Sequence, residues 1–345
     1  MLTLYKSLER RLFLFSKVSS DREITRTRQG SHHIGFSLTR QSILNSNMNL
    51  STQSIIVRNL IGHKRQLLIP LLIGALTSGC GGIINRAVDD VSGNLVTAIL
   101  DQDDPETVRQ AVPAYLIMLD SFAQGDPPET GSLRKASSLY AAFGSTFVDD
   151  EARSSKLTTR AWAYGQQALC QEYEISCEIR EVGFDEWDAF LAERNTDDAP
   201  ALYDFATAWL AFLQAHSSDF VTLAELPKAQ KLVERLAEIN DGFEAININL
   251  YLGILNSLRP PALGGDFDAA QKYFEQAIEL SEGNDLGVKV SYARFYARTL
   301  YERELHDKLL NEVVEADPTA GTSTLLNVLA QDEAQALLDT ADDYF

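Results

Sequence analysis

The stretch YLGILNSLRPPALGGDFDAAQKYFEQAIEL, residues 251–280, decides the fold of this chain. Its apolar residues recur at helical spacing on both sides of a Pro- and Gly-rich break at residues 259–265. Small residues let two helices approach closely, and a phenyl ring can fill the space between helix pairs. The stretch supplies both, at Gly253, Ala270, Phe274 and Ala277. It therefore predicts two helices packed together as a hairpin.

The same helical period runs through almost all of residues 80–345, without the alternating β-branched runs that mark strands. A second helix pair is predicted at residues 292–301 and 305–314. Long helices are predicted at residues 104–123, with a kink at Pro113, and at residues 324–345. About a dozen helices are expected in all. The sequence thus predicts an all-α fold in which consecutive helices pack as pairs.

The first pair resembles a known repeat. Leu252-Gly253 matches the Leu-Gly position of a tetratricopeptide (TPR) hairpin. The Ala-x3-Phe-x2-Ala positions of that repeat are matched by Ala270, Phe274 and Ala277. We therefore interpret residues 80–345 as a single domain of degenerate TPR-like hairpins wound into an α-α superhelix.

Residues 1–79 are interpreted as an N-terminal extension and a bacterial lipoprotein signal. Basic residues precede an apolar run of ten residues, Leu67–Leu76, which is half the length that spans a bilayer. Leu76-Thr77-Ser78-Gly79-Cys80 resembles a lipobox whose cysteine is lipidated, although Thr77 stands where an apolar residue is usual. An ordinary cleaved signal or an unprocessed anchor are the alternatives. Met48 is a candidate true start, because it would give a signal of normal length.

Charge limits the classes of partner. Residues 80–345 hold 19 Lys and Arg against 46 Asp and Glu, a charge of −27. Nucleic-acid or anionic-lipid binding is excluded on this basis, because phosphate contacts need clustered basic residues. The acidic pairs fall mainly where helices start or stop, which is typical of caps and a solvated surface.

Catalytic and metal-binding patterns are missing from the sequence. His216 and His306 lie on separate predicted helices, and neither has the spacing of a metal site. The segment His216-Ser217-Ser218-Asp219 contains the residue types of a catalytic triad, but adjacency in sequence does not create triad geometry. We expect no enzyme activity, no metal and no cofactor. A disulfide between Cys170 and Cys177 is possible only if residues 171–176 include a turn.

Several blocks of sequence, taken in order, resemble one family, the T component associated with tripartite ATP-independent periplasmic (TRAP) transporters. They are DDPETVRQAVPAYL at 103–116, LYAAFGSTFV at 139–148, LAELP at 223–227, GGDF at 264–267, LNVLAQDEA at 326–334, LL at 337–338 and DDYF at 342–345.

This resemblance implies a lipoprotein in the bacterial periplasm, tethered to a membrane through Cys80. Gly81, in place of the Asp that retains some lipoproteins at the inner membrane, mildly favours the outer membrane. The resemblance also implies a homotrimer whose protomers each carry a cleft or pore. Its partner would be the substrate-binding P component, to which it would help hand over a small organic ligand.

Candidate residues for that cleft are aromatic and amide side chains, namely Tyr140, Phe143, Phe147, Trp209, Asn256, Asn327 and Gln331. The competing interpretation is that they pack helices together. Replacing Trp209 with Ala is predicted to weaken ligand handling more than replacing Trp187. Two other functions stay open: a general TPR-type envelope lipoprotein that scaffolds outer-membrane assembly or secretion machinery, and a periplasmic hydrolase.

Overall fold

The computed structural model describes residues 95–125 and 128–345. The predicted signal, Cys80, Met48 and the boundary at residue 80 lie outside the described residues. The described residues are largely α-helical and hold no strand, which confirms the all-α prediction of about a dozen helices.

The helices are numbered here in chain order. They are α1 Pro105–Ala123, α2 Thr130–Thr146, α3 Glu151–Glu172, α4 Phe184–Ala192, α5 Ala199–Ala215, α6 Phe220–Leu223, α7 Leu226–Glu238, α8 Ala245–Ser257, α9 Phe267–Leu280, α10 Leu286–Ser291, α11 Arg303–Glu315, α12 Thr324–Asp339 and α13 Ala341–Tyr344. Helix α10 continues through a π-helical turn, Tyr292–Ala297, and a last α-helical turn, Arg298–Leu300.

Acidic and hydroxyl side chains start many of these helices, as their positions in the sequence predict. Asp104 precedes Pro105 and accepts a hydrogen bond from the Glu106 N–H. Asp150 and Asp266 cap α3 and α9 in the same way, and Ser323 caps α12. These caps satisfy N–H groups that have no partner inside the helix, so they fix where each helix begins.

Consecutive helices pack against each other, and three large buried apolar clusters follow one another along the chain. The first cluster joins α1, α2, α3 and α5, the second joins α3, α4, α5, α7 and α8, and the third joins α9 to α12. The last long helix also returns to the first. Leu325 of α12 belongs to the cluster of α1 and α2, and the Ser323 hydroxyl donates to the Leu100 carbonyl oxygen at 3.3 Å.

The stretch at residues 251–280 forms the predicted hairpin of α8 and α9. Phe274 is completely buried, and its ring lies so close to Gly253 that a Cβ at that position would come within 2.9 Å of Cδ1 and Cε1. Gly265 is equally constrained, since a Cβ there would lie 1.7 Å from the Arg259 carbonyl oxygen. The absence of a side chain at these two glycines therefore allows the close approach that the hairpin requires.

The helix predicted at 324–345 differs from the structure. It breaks at Thr340, because Arg298 Nη2 donates to the Leu337 carbonyl oxygen at 2.7 Å and takes the acceptor that a continuing helix would use at Ala341. Helix α8 begins at Ala245, and Glu244 before it has a φ of 51°, in the left-handed region that a helix cannot contain.

The turn that a disulfide requires is present between α3 and the following 3₁₀-helix, Glu174–Glu178. The structure joins Cys170 and Cys177 across it, with their Cα atoms 4.6 Å apart. Gln166 reinforces the turn, because its Nε2 donates to the Cys177 carbonyl oxygen at 2.8 Å.

Candidate functional site

Three of the predicted cleft residues lie together on α2 and at its carboxyl end, where Phe147 directly follows the last helical residue. Tyr140, Phe143 and Phe147 are buried in the cluster that joins α1, α2 and α3, and the rings of Phe143 and Phe147 stack with centroids 5.8 Å apart. In this position the two phenyl rings pack helices together.

The hydroxyl of Tyr140 belongs to a polar network around Asp120 of α1. It donates to Oδ2 of Asp120 at 2.9 Å, while Tyr164 of α3 donates to Oδ1 at 2.8 Å. Arg160 Nη1 donates to Oδ2 at 2.8 Å and balances the charge. Burial raises the pKa of Tyr164 to about 12, so its hydroxyl stays a donor at neutral pH. The network ties three helices together through one carboxylate.

Trp209 lies in a different cluster, on α5, and is completely buried. Its Nε1 donates to Glu225 Oε2 at 2.9 Å, and Arg180 Nε pairs with the other carboxylate oxygen at 2.9 Å. The Arg180 guanidinium in turn stacks on Trp162, with its Cζ 4.5 Å from the ring centroid. The Trp209 indole therefore packs in an apolar cluster and donates its N–H to the Glu225 carboxylate.

The three amide residues also bond within the chain. Asn256 Nδ2 donates to the Leu252 carbonyl oxygen at 2.8 Å, one turn back on α8. Gln331 Nε2 donates to the carbonyl oxygens of Val313 and Ala316, at 3.1 and 2.9 Å, at the end of α11. The structure thus distributes the seven predicted residues over α2, α5, α8 and α12 and does not bring them together as one group. Their role in binding a ligand remains a prediction.

Asn327 uses both of its donors and its acceptor to join two loops to α12. Its Nδ2 donates to the carbonyl oxygens of Asn284 and Pro318, each at 3.0 Å, and its Oδ1 accepts from the Leu286 N–H at 3.0 Å.

We expect Asn327→Ala to lower the free energy of unfolding by about 2–3 kcal/mol, because buried backbone groups lose their partners. Urea denaturation followed by circular dichroism measures this. Gln335→Ala, an exposed amide on the same helix, is the control and should change stability by less than about 0.5 kcal/mol.

A second group of polar side chains comes from α2, from α5 and from the segments at the starts of α8 and α10. Arg134 Nε donates to Asp204 Oδ2 at 2.6 Å, and Ser138 donates to Oδ1 at 3.3 Å. The side chains of Arg134 and Asp204 are 30% and 25% exposed. Burial nevertheless raises the pKa of Asp204, against the opposing charge of Arg134. The Asp204 carboxyl group is thus partly accessible and partly desolvated.

Two tyrosines continue this surface. The Tyr203 hydroxyl lies near the Glu244 carboxylate and the Tyr251 hydroxyl, and burial together with these neighbours raises the pKa of Tyr203. Burial raises the pKa of Tyr251 to about 12, and the charges of Glu244 and Asp285 add to this effect, so both carboxylates lie near its hydroxyl. Burial also raises the pKa of Asp285. We call the six residues Arg134, Tyr203, Asp204, Glu244, Tyr251 and Asp285 the polar wall.

Helix α7 packs against both α5 and α8, the two helices that carry Tyr203, Asp204 and Tyr251. The polar wall as a whole contains three carboxylates, two phenol hydroxyls and one guanidinium. Such a surface can accept hydrogen bonds from a small polar molecule.

The polar wall was not predicted from the sequence, although one signal for it was present. Asp204 is the only charged residue in α5, a helix that is otherwise apolar along most of its length. A charge at such a position indicates a partner or a polar cavity. The closeness of Asp285 to Tyr251 depends on how α8 packs against the start of α10, and no pattern in the sequence contains it.

The histidines considered for catalysis are each bonded within the fold. His216 Nδ1 lies 2.8 Å from the Phe212 carbonyl oxygen, and Asp219 accepts from the Val221 N–H as the cap of α6. His306 contacts Arg298 and Asp307. In the part of the chain that the structure describes, no group of three or more His, Cys, Asp or Glu side chains could hold a metal ion. Likewise, no helix among the described residues combines the length and apolarity needed to cross a membrane.

Comparison with protein families gives a match. Residues 101–345 match the family model described as TRAP transporter T-component. The match begins four residues before α1 and extends to the last residue, so it includes all the numbered helices. A search among curated proteins finds no match.

Proposed function

The chain belongs to the TRAP transporter T-component family, and from this premise we propose that it is a periplasmic lipoprotein that helps a TRAP transporter handle its ligand. Membership makes the chain an accessory component of such a transporter. The proposal adds that it associates with the substrate-binding P component and helps hand over a small organic ligand. It also adds a lipid anchor on Cys80, with the outer membrane as the favoured site, and assembly as a homotrimer.

The observation that carries this proposal is the family match over residues 101–345. It extends over the whole helical array rather than over one hairpin. A general TPR scaffold requires only the generic repeat positions, such as Gly253 and Phe274. The match therefore favours the transport role over the scaffold role.

We assign the ligand contacts to the polar wall. Its side chains come from four segments that are distant in sequence, and they remain accessible while the surrounding protein desolvates them. Carboxylates and phenol oxygens accept hydrogen bonds, so the proposed ligand carries hydroxyl or amino donors. Arg134 is neutralised by Asp204, and a ligand that carried only negative charge would meet Glu244 and Asp285 unfavourably.

A tyrosine substitution tests this assignment. Tyr251→Phe keeps the ring and removes the hydroxyl, so the amount of small molecule that copurifies with the protein should fall about fivefold, the effect of losing one hydrogen bond. Native mass spectrometry of protein purified from its own envelope measures the bound fraction. The control is Tyr273→Phe, on α9 and outside the wall, which should retain its ligand. Equal retention by both variants would contradict the assignment.

A crosslinking experiment tests the function as a whole. The tagged, lipidated protein is crosslinked in its own cell envelope, captured, and its partners are identified by mass spectrometry. Recovery of a TRAP substrate-binding protein is the expected result and would also indicate the class of substrate. Recovery of outer-membrane assembly or secretion subunits instead would overturn the proposal in favour of the scaffold function.

A further inference from the structure

A buried polar cluster lies at the end of the helical array, away from the polar wall. Arg298 and His306 are 4% and 0% exposed. Arg298 Nε donates to His306 Nε2 at 3.1 Å, and its Nη2 donates to the Leu337 carbonyl oxygen at 2.7 Å and to the Thr340 hydroxyl at 3.1 Å. One guanidinium therefore joins the end of α10 to α11 and to the end of α12.

The contact with Arg298 fixes the protonation state of His306. A guanidinium only donates hydrogen bonds, so Nε2 must offer its lone pair. The single ring proton is then on Nδ1, which donates to Asp307 Oδ1 at 2.8 Å. His306 is consequently neutral, and both of its ring nitrogens are engaged.

The last five residues cover this cluster. The Tyr344 hydroxyl donates to the Arg298 carbonyl oxygen at 3.2 Å, and its ring lies 4.7 Å from Arg298 Cζ. The ring of Phe345 meets the imidazole with centroids 5.1 Å apart. Helix α13 has only four residues, too few to persist alone, so these contacts and the Arg303–Asp342 ion pair hold it in place.

A second proton on His306 cannot be accommodated in this arrangement. It would occupy Nε2, remove the acceptor of Arg298 and place two cations 3.1 Å apart in a site without solvent. We propose that His306 is a proton-operated latch, whose protonation breaks the Arg298 contact and releases residues 341–345 from the end of the array.

The surrounding groups set the direction of the response. Arg298 from α10 and Arg303 from α11 oppose a charge on His306, while Asp307 from α11 favours it. On α13, Tyr344 faces Arg298, and Asp342 pairs with Arg303. Two more charged groups act on Arg298 at longer range, Glu333 on α12 and Arg294 on the continuation of α10. Burial alone would raise the pKa of Asp307, but hydrogen bonds from His306 and Arg303 hold it below its usual range. Asp307 is thus ionised throughout the range in which His306 titrates.

The pH window follows from these shifts. Burial lowers the pKa of His306 below its ordinary value of 6.5, and the charge of Arg298 adds to this. The open state therefore binds the proton more readily than the closed state does. The closed latch is fully stable above about pH 6.5 and loses stability progressively as the pH falls below that value.

Hydrogen exchange of the purified protein tests the latch. With labelling times corrected for intrinsic exchange, protection of residues 341–345 should fall by up to about tenfold between pH 7.5 and 5.5, the limit for a group of ordinary pKa 6.5 that takes up its proton only in the open state. His306→Gln keeps an acceptor for Arg298 but does not titrate, so its protection should be the same at both values. His216→Gln is the matched control and should retain the fall. A pH-independent wild type, or a His306→Gln variant with an undiminished fall, would overturn the proposal.

A measurement on the unaltered chain covers the case in which His306→Gln does not fold. Imidazole ¹⁵N resonances report which ring nitrogen of His306 carries the proton. We expect only Nδ1 to be protonated at pH 7.5, and a titration midpoint that coincides with the loss of protection at residues 341–345. The latch would be refuted if the titration midpoint of His306 differed from the pH at which residues 341–345 lose protection. A proton on Nε2 at pH 7.5 would also refute it.

Discussion

Replacing Phe274 with Ala is expected to lower the free energy of unfolding by about 3–5 kcal/mol, among the largest effects of any single substitution in this chain. The ring is completely buried between α8 and the helix that follows α9, with Gly253 on one side and Tyr292 stacked on it with centroids 4.9 Å apart. Alanine would leave a cavity that the two helix pairs can close only in part. Urea denaturation followed by circular dichroism measures the loss. Phe122→Ala, at a half-exposed phenylalanine on α1, should cost under about 1 kcal/mol.

Gly253 offers a second test of the same contact. A methyl group there would meet three atoms of the Phe274 ring at 2.9 to 3.0 Å, so Gly253→Ala should cost about 1–3 kcal/mol. In the Phe274→Ala background the ring is gone, and the same change should cost much less. The two substitutions are therefore expected to be non-additive. Strict additivity would show that the close approach of α8 and α9 does not depend on this pair.

Replacing Trp209 with Ala is the second large expected effect, again about 3–5 kcal/mol of unfolding free energy. The change removes a completely buried indole and also leaves Glu225, which is 8% exposed, without one of its hydrogen-bond donors. Trp187→Ala should cost a similar amount, because that indole is equally buried and donates to the Lys228 carbonyl oxygen at 3.1 Å. Thermal unfolding of the two variants side by side measures both losses.

The same two variants also test the sequence-based prediction about ligand handling. The two indole rings meet edge to face with centroids 6.2 Å apart, so they form a matched pair within one cluster. Ligand occupancy is compared at a temperature at which both variants are folded. A greater loss of ligand in Trp209→Ala, at equal stability, would support a binding role. Equal losses that follow the loss of stability would show that both residues are structural.

The fold could be predicted because its determinants are local. Gly253, Ala270, Phe274 and Ala277 specify one hairpin by spacing alone, and Asp104, Asp150 and Asp266 mark helix starts within a few residues. Where the prediction was wrong, the cause is not local. The break at Thr340 requires Arg298, which lies 42 residues earlier and takes the Leu337 carbonyl. No helical pattern within residues 324–345 contains that information.

The candidate site was harder to predict for the same reason. Spacing shows that Trp209 or Asn327 lies on a helix, but it does not show which neighbour occupies its polar atoms. In the structure Glu225 bonds the indole N–H, and three backbone groups bond the Asn327 amide. In the polar wall, Asp204 stands out as the only charged residue of an apolar helix, but its neighbours Arg134, Ser138 and Glu244 come near it only after the helices pack.

The return of α12 to α1 has a consequence for the order in which the protein can fold. Ser323 and Leu325 meet Leu100 and the cluster of α1 and α2, across a separation of 223 residues for the Ser323–Leu100 bond. In an open array of repeats, each hairpin needs only its neighbour and can fold as soon as that neighbour exists. Here the amino-terminal cluster stays incomplete until residue 325 has been synthesised. Closure over so long a loop is slow, so the exposed apolar side chains of α1 and α2 must be protected from aggregation during that interval.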